Sequence, residues 1–340
     1  RPHPTRTQPH TMPHHTAEFQ YVTGQMRPSF GDLLAQFEAR NAQALSLPHW
    51  ELDVAYGPHA REVMDVRPSE AKALGTVVYF HAGYWQSRDK SQFRFLAPAF
   101  NAMGWDMALV NYPLCPEVSV ANIVASAAQA LQKVATHQSE RGRTGPIVLC
   151  GHSAGAHLAI ELALQQASAT APLPISGVVA ISGVYDLQPL LDTTLNTRLQ
   201  LDANSARACS PTHRVRPGAT PALFVWGDAE TPAFHGAGEA LADGLGLDVD
   251  LLAGDEMVSR ELGAHIHHGV RIDAELGDIG LGFHFKLGES GLDAGDQFLF
   301  FTDKIIGGVC SPLFFDGLTR FDQFLLRIFP RHLARAHLVR

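Results

Sequence analysis

The sequence is poor in cysteine, with four residues in a chain of 340 and no Cys-x-x-Cys pair. So few thiols do not form the disulfide framework of a secreted protein, and reduced cysteines in the cytoplasm fit best. The chain also lacks a block of basic residues, and its net charge of −8 makes nucleic acid an unexpected partner. No segment approaches the roughly 18 uncharged apolar residues of a membrane-spanning helix, and no apolar signal core is present. We therefore expect a cytoplasmic protein that does not associate with membranes.

Apolar residues make up 46% of the chain, which is enough to bury one large core in a single domain. Residues 1–20 stand apart because they are polar and rich in Pro and His, and this composition predicts a disordered N-terminal tail. Residues 21–253 carry a regular alternation of apolar patterns and form the predicted domain. Residues 254–340 lose that alternation, so we expect an irregular, poorly ordered C-terminal segment.

Apolar runs predict seven strands, at 51–57, 75–80, 106–112, 146–150, 177–182, 222–226 and 248–252. Segments with apolar residues at helical spacing precede or separate them, at 29–45, about 91–103, 120–134, 153–167 and about 233–243. Strands that alternate with helices in this way form a mostly parallel sheet covered by helices on both faces. The predicted fold class is therefore α/β.

The segment CGHSAGA places Ser153 between Gly151 and Gly155 in a Gly-x-Ser-x-Gly pattern. The pattern alone is weak evidence, but here a predicted buried strand ends directly before it and an Ala-rich helix begins directly after it. A strand-to-helix turn this sharp needs small residues two positions before and after the serine, and it lifts the hydroxyl clear of the sheet. The sequence therefore predicts a nucleophile elbow, with Ser153 as the nucleophile at the N-terminus of a helix, where negative charge is favoured.

Acyl transfer by a serine passes through a tetrahedral oxyanion, which fixed N–H donors must stabilise. One donor is expected from Ala154, the residue after the nucleophile. Others should come from a loop after an earlier strand, where small side chains let the backbone approach the substrate. The segment HAGYW, residues 81–85, follows the predicted strand 75–80 in this way. We assign the backbone N–H groups of Gly83 and Tyr84 to the oxyanion hole.

Six segments together resemble the kynurenine formamidase (arylformamidase) branch of the α/β-hydrolases: HAGYW, SRDKSQFRFLAPA, LVNYPLCPEV, GHSAGAHLA, ISGVYDLQPL and ALFVWGDAETPAF. The resemblance runs from about residue 45 to 252, and its most telling motif is HAGYW, where Ala82 replaces the usual first glycine. It implies the α/β-hydrolase fold and cleavage of an N-formyl amide, with N-formylkynurenine as substrate and kynurenine and formate as products. It also implies a Ser–acid–His triad without metal or organic cofactor.

The resemblance further implies that His81 and Trp85 contribute to the substrate pocket. Tyr84 and Trp85 would then lie at the mouth of the pocket and face an aryl ring, or they would simply pack the loop. The expected partner is a small molecule, either an aryl formamide or an ester. A homodimer is only the general expectation for a soluble enzyme.

The acid of the triad should follow the nucleophile, in a loop after a later strand. The turn after strand 222–226 offers Asp228 and Glu230. Many α/β-hydrolases carry the acid in a Gly-Asp pair, which favours Asp228. In the formamidase-like pattern the acid lies two residues before the proline of an x-Pro-x-Phe motif, and this pattern selects Glu230.

The histidine base is the difficult member, because the residues just after strand 248–252 contain none. His284, in GFHF, matches the local pattern of the family but lies about 30 residues beyond that strand. His265 is nearer but has different neighbours. We assign the base to His284, with His265 as the alternative. A shift of the reading frame near residue 253 would explain both the missing histidine and the lost alternation.

Two other functions stay open beside the arylformamidase-like serine hydrolase. A carboxylesterase acting on small acyl esters would use the same site with a different pocket. A catalytically impaired binding protein on a hydrolase scaffold would account for the absence of a histidine where the base is expected.

Overall fold

The computed structural model describes residues 14–26, 30–70, 72–217, 220, 222–227, 230–245, 269–272 and 283–287. Within these ranges nine strands form one sheet. The strands are β1 (Glu51–Ala55), β2 (Val63–Arg67), β3 (Gly75–Phe80), β4 (Trp105–Val110), β5 (Ile147–His152), β6 (Ile175–Ile181), β7 (Ala222–Gly227), β8 (Gly269–Ile272) and β9 (Phe283–Leu287).

The strand order across the sheet is β1-β2-β4-β3-β5-β6-β7-β9-β8. The five central strands run parallel to one another, from β4 to β7, whereas the pairs at both sides are antiparallel. The predicted mostly parallel sheet is confirmed. The loops that leave β3, β5, β6 and β7 lie side by side at one edge, which we call the carboxyl edge, and α/β proteins bind their ligands at such an edge.

The described helices are α1 (Ala17–Tyr21), α2 (Phe30–Leu45), α3 (Ala97–Ala102), α4 (Val120–Glu140), α5 (Ala154–Ala167), α6 (Asn196–Leu199), α7 (Ala203–Ala208) and α8 (Pro232–Gly244). Short 3₁₀ segments lie at Thr23–Gln25, Lys90–Leu96, Gln188–Asp192 and Pro211–His213. Successive residues of the central strands face opposite sides, so that Leu149 belongs to the core cluster that includes α4, α5 and α8, while Val148 belongs to the cluster that includes α3. Helices thus cover both faces, as predicted. Among the helices described, none is long and apolar enough to cross a membrane.

Strand β2 has no counterpart in the sequence prediction, because its buried positions include charged residues. Asp65 is wholly buried and Arg67 is nearly so. The Asp65 carboxylate lies 2.7 Å from Lys90 Nζ and 2.7 Å from Arg94 Nε, both in the segment after β3. A local hydrophobic pattern does not reveal partners so distant in the chain.

The predicted disordered tail over residues 1–20 is wrong at its C-terminal end, where α1 forms. The hydroxyl of Thr16 caps this helix and accepts a hydrogen bond from the Phe19 N–H at 3.2 Å. Tyr21 packs into the core on the α5 side of the sheet. Residues 1–13 lie outside the described part of the chain. The folded domain therefore includes α1.

The predicted domain boundary at residue 253 does not mark the end of the sheet. Strand β9 pairs antiparallel with β7, and β8 pairs with β9, so both strands extend the sheet. The predicted strand at 248–252 lies outside the described residues. The proposed shift of reading frame near residue 253 stays a prediction.

Candidate active site

Ser153 forms the sharp turn between β5 and α5. Its backbone has φ 55° and ψ −116°, a conformation that is costly for a residue other than glycine and that clusters at functional sites. A Cβ added to Gly151 would lie 2.1 Å from the Gly155 carbonyl oxygen, and one added to Gly155 would lie 1.9 Å from the Phe80 carbonyl oxygen. Both positions therefore accept only glycine, and the predicted elbow geometry is confirmed. Ser153 is half-buried rather than sealed in the core.

The loop after β3 lies directly against this turn, and we call its residues 81–87 the oxyanion loop. Phe80 and Gly151 are partners in adjacent parallel strands, so the oxyanion loop and the elbow leave the sheet side by side. A Cβ added to Gly155 would also lie 2.8 Å from the His81 carbonyl oxygen. The start of the oxyanion loop and the first turn of α5 are therefore in direct contact.

The three amides predicted for the oxyanion hole take no part in the backbone hydrogen bonds of the described residues. Within the described part of the chain, no backbone acceptor is found for the N–H groups of Gly83, Tyr84 and Ala154. Ala154 is the first residue of α5, where the N–H groups lack partners within the helix and the helix dipole is positive. Uncommitted donors on a fixed backbone are what an oxyanion requires.

His81 does not line a pocket, and the prediction for this side chain is wrong. It is wholly buried and stacks on the Tyr112 ring at a centroid distance of 4.2 Å. Its Nδ1 lies 2.8 Å from the Ala82 carbonyl oxygen, which can only accept, so this bond requires the hydrogen on Nδ1. Burial lowers the pKa of His81 to about 4, and the ring is neutral at pH 7. Because the Ala82 carbonyl and the Gly83 N–H point in opposite directions from one planar peptide unit, the ring sets the direction of this amide.

Trp85 packs the oxyanion loop instead of facing a pocket, so the pocket prediction is wrong for this residue too. Its side chain is wholly buried, and its ring meets the His157 ring edge-on at 5.0 Å. The indole thus lies in the core against α5, where it has no surface to offer a substrate. Tyr84 is half-buried, and its hydroxyl donates to the carbonyl oxygen of Tyr21 in α1.

Glu230 brings a carboxylate to the carboxyl edge, in the loop after β7. Its Oε1 accepts a hydrogen bond from Ser182 Oγ at 2.6 Å. The N–H of Ser153 donates to the Ile181 carbonyl oxygen at 2.8 Å. Ser153 and Glu230 are therefore held by two adjacent residues at the end of β6, Ile181 and Ser182. Burial, and after it the negative charge of Glu230, raises the pKa of the Tyr84 hydroxyl above its usual range. The Glu230 carboxylate therefore acts electrostatically on a residue of the oxyanion loop.

The described residues cover the predicted base and the alternative acid only in part. Asp228 and His265 lie outside the described residues. His284 lies in β9, where it is the partner of Trp226, one position before the end of β7 at the carboxyl edge. Its backbone is therefore beside the strand that leads to Glu230. The assignment of His284 as the base stays a prediction.

Comparison with known proteins identifies the family. A family model for the alpha/beta hydrolase fold matches residues 77–221, which include the oxyanion loop and the elbow. The kynurenine formamidase of Danio rerio is 31% identical over 203 residues, which cover 57% of this chain and 68% of that protein. The chain belongs to the kynurenine formamidase branch of the α/β-hydrolases. The kynurenine formamidase of Salmo salar is 32% identical over 176 residues, which cover 51% of this chain and 59% of that protein. The chain thus matches only part of the length of these relatives.

Solved structures agree with the assignment to the α/β-hydrolases. A candidate thioesterase from Silicibacter sp. TM1040 is 32% identical, with a TM-score of 0.61, and the match covers 67% of this chain and 86% of that one. An esterase from Pyrobaculum calidifontis is 20% identical with a TM-score of 0.50, a likeness that shows the fold alone. This formamidase-branch chain is therefore a hydrolase, and the family resemblance seen in its sequence is confirmed.

The N-terminal segment contacts the loops of this candidate site, and sequence reasoning missed it. Thr231, in the loop after β7, donates its hydroxyl to the Gln20 carbonyl oxygen at 2.6 Å. The Tyr84 hydroxyl donates to the next carbonyl along α1, that of Tyr21. Helix α1 thus holds the loop after β7 and the oxyanion loop through two successive carbonyl groups. The available signal is Thr16 as a helix N-cap, which the polar composition around it obscures.

A buried polar network at the other end of the oxyanion loop was also missed. The Asn111 side-chain oxygen accepts from Arg61 Nη2 at 2.8 Å and from the Lys90 N–H at 3.2 Å. The Asn111 amide nitrogen donates to Asp89 Oδ2 at 2.8 Å. His81 Nε2 lies 3.1 Å from the same oxygen of Asn111, but with the ring hydrogen on Nδ1 this nitrogen cannot donate to it. Asn111 therefore joins Arg61 to residues 89 and 90, which follow the oxyanion loop, through pairings too distant in the chain for a motif to show.

The described residues offer no metal centre, since no three His, Cys, Asp or Glu side chains among them come together to hold an ion. The groups gathered at the carboxyl edge are amide N–H groups, a serine hydroxyl and a carboxylate. Such groups stabilise an anionic oxygen, attack an acyl carbon and orient a base.

Proposed function

We propose that this chain hydrolyses N-formyl amides of aryl amines, with N-formylkynurenine as substrate and kynurenine and formate as products. The two relatives named kynurenine formamidase support this substrate class. The observation that carries the proposal is the contact between the Ser153 turn and the oxyanion loop, made by Gly155 against the carbonyls of Phe80 and His81. This contact supports the proposal because acyl transfer requires a nucleophile next to fixed amide donors.

In the proposed reaction, Ser153 Oγ attacks the formyl carbon while His284 accepts the hydroxyl proton. The former carbonyl oxygen becomes an oxyanion, which accepts hydrogen bonds from the N–H groups of Gly83, Tyr84 and Ala154. Collapse of this intermediate breaks the C–N bond, the base returns the proton to the departing aryl amine, and Ser153 keeps the formyl group as an ester. Water then attacks the ester, the base carries its proton back to Ser153, and formate leaves.

The purified chain is expected to release formate and kynurenine in equal amounts from N-formylkynurenine. Formate is measured with a coupled dehydrogenase, and kynurenine is measured by chromatography. The value of kcat/KM for this amide is expected to exceed that for p-nitrophenyl acetate, which represents a simple acyl ester. Absence of both products at high enzyme concentration would contradict the proposed function.

The second candidate function is hydrolysis of acyl esters or thioesters by the same groups. The observation that favours it is the 32% identity to the candidate thioesterase. Faster cleavage of p-nitrophenyl acetate than of N-formylkynurenine would select it. Failure to cleave either substrate, together with no fluorophosphonate adduct on Ser153, would indicate that the chain is a binding protein on a hydrolase scaffold.

Replacing Glu230 by Gln is expected to lower kcat about 10³- to 10⁴-fold with little change in KM. The Gln oxygen still accepts the Ser182 hydroxyl, so the loop keeps its geometry and loses only the charge that orients and stabilises the protonated base. Steady-state formate release measures the effect. Glu239→Gln, which removes a carboxylate from α8, is the matched control. An unchanged kcat in Glu230→Gln would contradict the assignment of Glu230 and favour Asp228 as the acid of the triad.

A further inference from the structure

The oxyanion loop contains two consecutive residues with left-handed backbone conformation, Tyr84 at φ 49° and Trp85 at φ 56°. The Gln86 N–H donates to the Gly83 carbonyl oxygen at 3.0 Å and closes a β-turn around them. Positive φ at both central positions favours Gly or Asn, because the Cβ of other residues crowds the backbone in this conformation. Two aromatic residues therefore hold this turn only where surrounding contacts impose it.

Contacts at both corners of the turn impose this conformation. At the far corner, the Trp85 carbonyl accepts from the Cys115 N–H at 2.8 Å. At the near corner, the Gly83 carbonyl accepts from Ser87 Oγ at 3.0 Å as well as from the Gln86 N–H. The near corner is tightly packed, since a Cβ added to Gly83 would lie 2.2 Å from the Ser87 carbonyl oxygen.

The direction of the Tyr84 amide depends on the direction of the Gly83 carbonyl. The two groups belong to one planar trans peptide unit and point in opposite directions. A donor that holds the carbonyl on one side therefore aims the N–H toward the other. The Ser87 side chain supplies such a donor from an exposed position.

We propose that Ser87 is a positioning residue for the oxyanion hole: its hydroxyl holds the Gly83 carbonyl and thereby aims the Tyr84 N–H at the oxyanion. This inference rests on the proposed function, because it assigns a part to a site that performs acyl transfer. Ser87 itself touches no reacting atom. Its effect is confined to the direction of one donor.

The size of the expected effect depends on the two donors to the Gly83 carbonyl. Removing an oxyanion-hole donor outright lowers kcat by about 10²- to 10³-fold in a serine hydrolase. Loss of the Ser87 bond misdirects the Tyr84 amide without removing it, and the Gln86 N–H still holds the carbonyl. We therefore expect Ser87→Ala to lower kcat about tenfold and to leave KM within about twofold, because the oxyanion forms only after substrate binds.

The test uses three variants of the full chain: Ser87→Ala, Ser87→Thr, which keeps the hydroxyl, and Ser168→Ala. Ser168 is the matched control because it is also exposed and its hydroxyl also donates to a backbone carbonyl, that of Gln165 at the end of α5. Kinetics on N-formylkynurenine, the rate at which a fluorophosphonate labels Ser153, and the Tm are measured for each. The labelling rate is included because the phosphoryl oxygen of the probe occupies the same amides.

Ser87→Ala is expected to be about tenfold slower than wild type in both kcat and labelling, with the Tm within about 2 °C. Ser87→Thr and Ser168→Ala are expected to match wild type. Equal rates in Ser87→Ala and Ser168→Ala would overturn the positioning role and leave the proposed function standing. A slower Ser87→Ala with a much lower Tm and no recovery in Ser87→Thr would also overturn it, in favour of a structural role. A wild type that neither hydrolyses nor takes the label would refute the proposed function, and the positioning role with it.

Discussion

Ser153→Ala is expected to abolish hydrolysis of N-formylkynurenine, with kcat falling about 10⁶-fold. In the proposed mechanism the Ser153 hydroxyl is the group that bonds to the formyl carbon, and alanine has no atom that can form this bond. The amides of the oxyanion hole stay in place, so a small residual rate above that of water is expected. The substitution removes one oxygen and keeps Cβ, and the Tm is therefore expected to stay within a few degrees of wild type.

Formate release at high enzyme concentration measures this loss, and intact mass after fluorophosphonate treatment reports on the nucleophile directly. Wild type is expected to gain one adduct, while Ser153→Ala gains none. The exposed Ser168→Ala variant should keep both the rate and the adduct. A Ser153→Ala protein that retains substantial activity, or is labelled at another residue, would show that the nucleophile lies elsewhere.

Gly155→Ala is expected to give the second-largest effect, a loss of about 3 kcal/mol or more in the free energy of unfolding, together with loss of activity. The new Cβ would lie 1.9 Å from the Phe80 carbonyl oxygen, 2.5 Å from the Phe80 carbonyl carbon and 2.8 Å from the His81 carbonyl oxygen. These are backbone atoms at the end of a central strand, so they cannot move aside as a flexible side chain would. Helix α5 must shift away from β3, and the shift separates Ser153 from the oxyanion loop.

Gly236→Ala is the matched control, because Gly236 is also a helical glycine but has no atom within 4 Å of an added Cβ. In that helix, Ala should stabilise the protein by up to about 1 kcal/mol. Urea unfolding and the yield of soluble protein compare the two variants. If Gly155→Ala unfolds at the same urea concentration as wild type and keeps its activity, the close approach of α5 and β3 is not essential to the elbow.

The central strands were predictable because the apolar run that indicates a buried strand lies within the strand itself. All six residues of β3 are buried, so the run GTVVYF contains no charged interruption. β2 and α1 were missed because their burial depends on partners elsewhere in the chain. The Asp65 carboxylate is tolerated in the core through Lys90 and Arg94, and Tyr21 is buried through packing around Phe234. A window of ten residues contains none of these pairings.

The candidate site divides in the same way between backbone and side chains. The elbow at Ser153 and the amides of the oxyanion loop are predictable from glycine spacing at strand ends, which a motif encodes. Whether an aromatic ring faces the substrate or packs into the core is not predictable from its position in a motif. An aromatic residue suited to stacking on a substrate is equally suited to the core, where His81 stacks on Tyr112 and Trp85 packs edge-on against His157. Motif position alone could not show which side of the oxyanion loop faces inward.

The attachment of α1 to two loops at once has a consequence for how the site assembles. The carbonyls of Gln20 and Tyr21 are adjacent along one short helix. Movement of that helix would therefore weaken the hydrogen bonds from Thr231 and from Tyr84 together. Undocking of that helix would break both hydrogen bonds and free Thr231 and the Tyr84 side chain, while the Tyr84 amide stays held by the contacts of its own turn. Activity is therefore expected to depend on the docked N-terminal helix through Thr231, which lies beside Glu230.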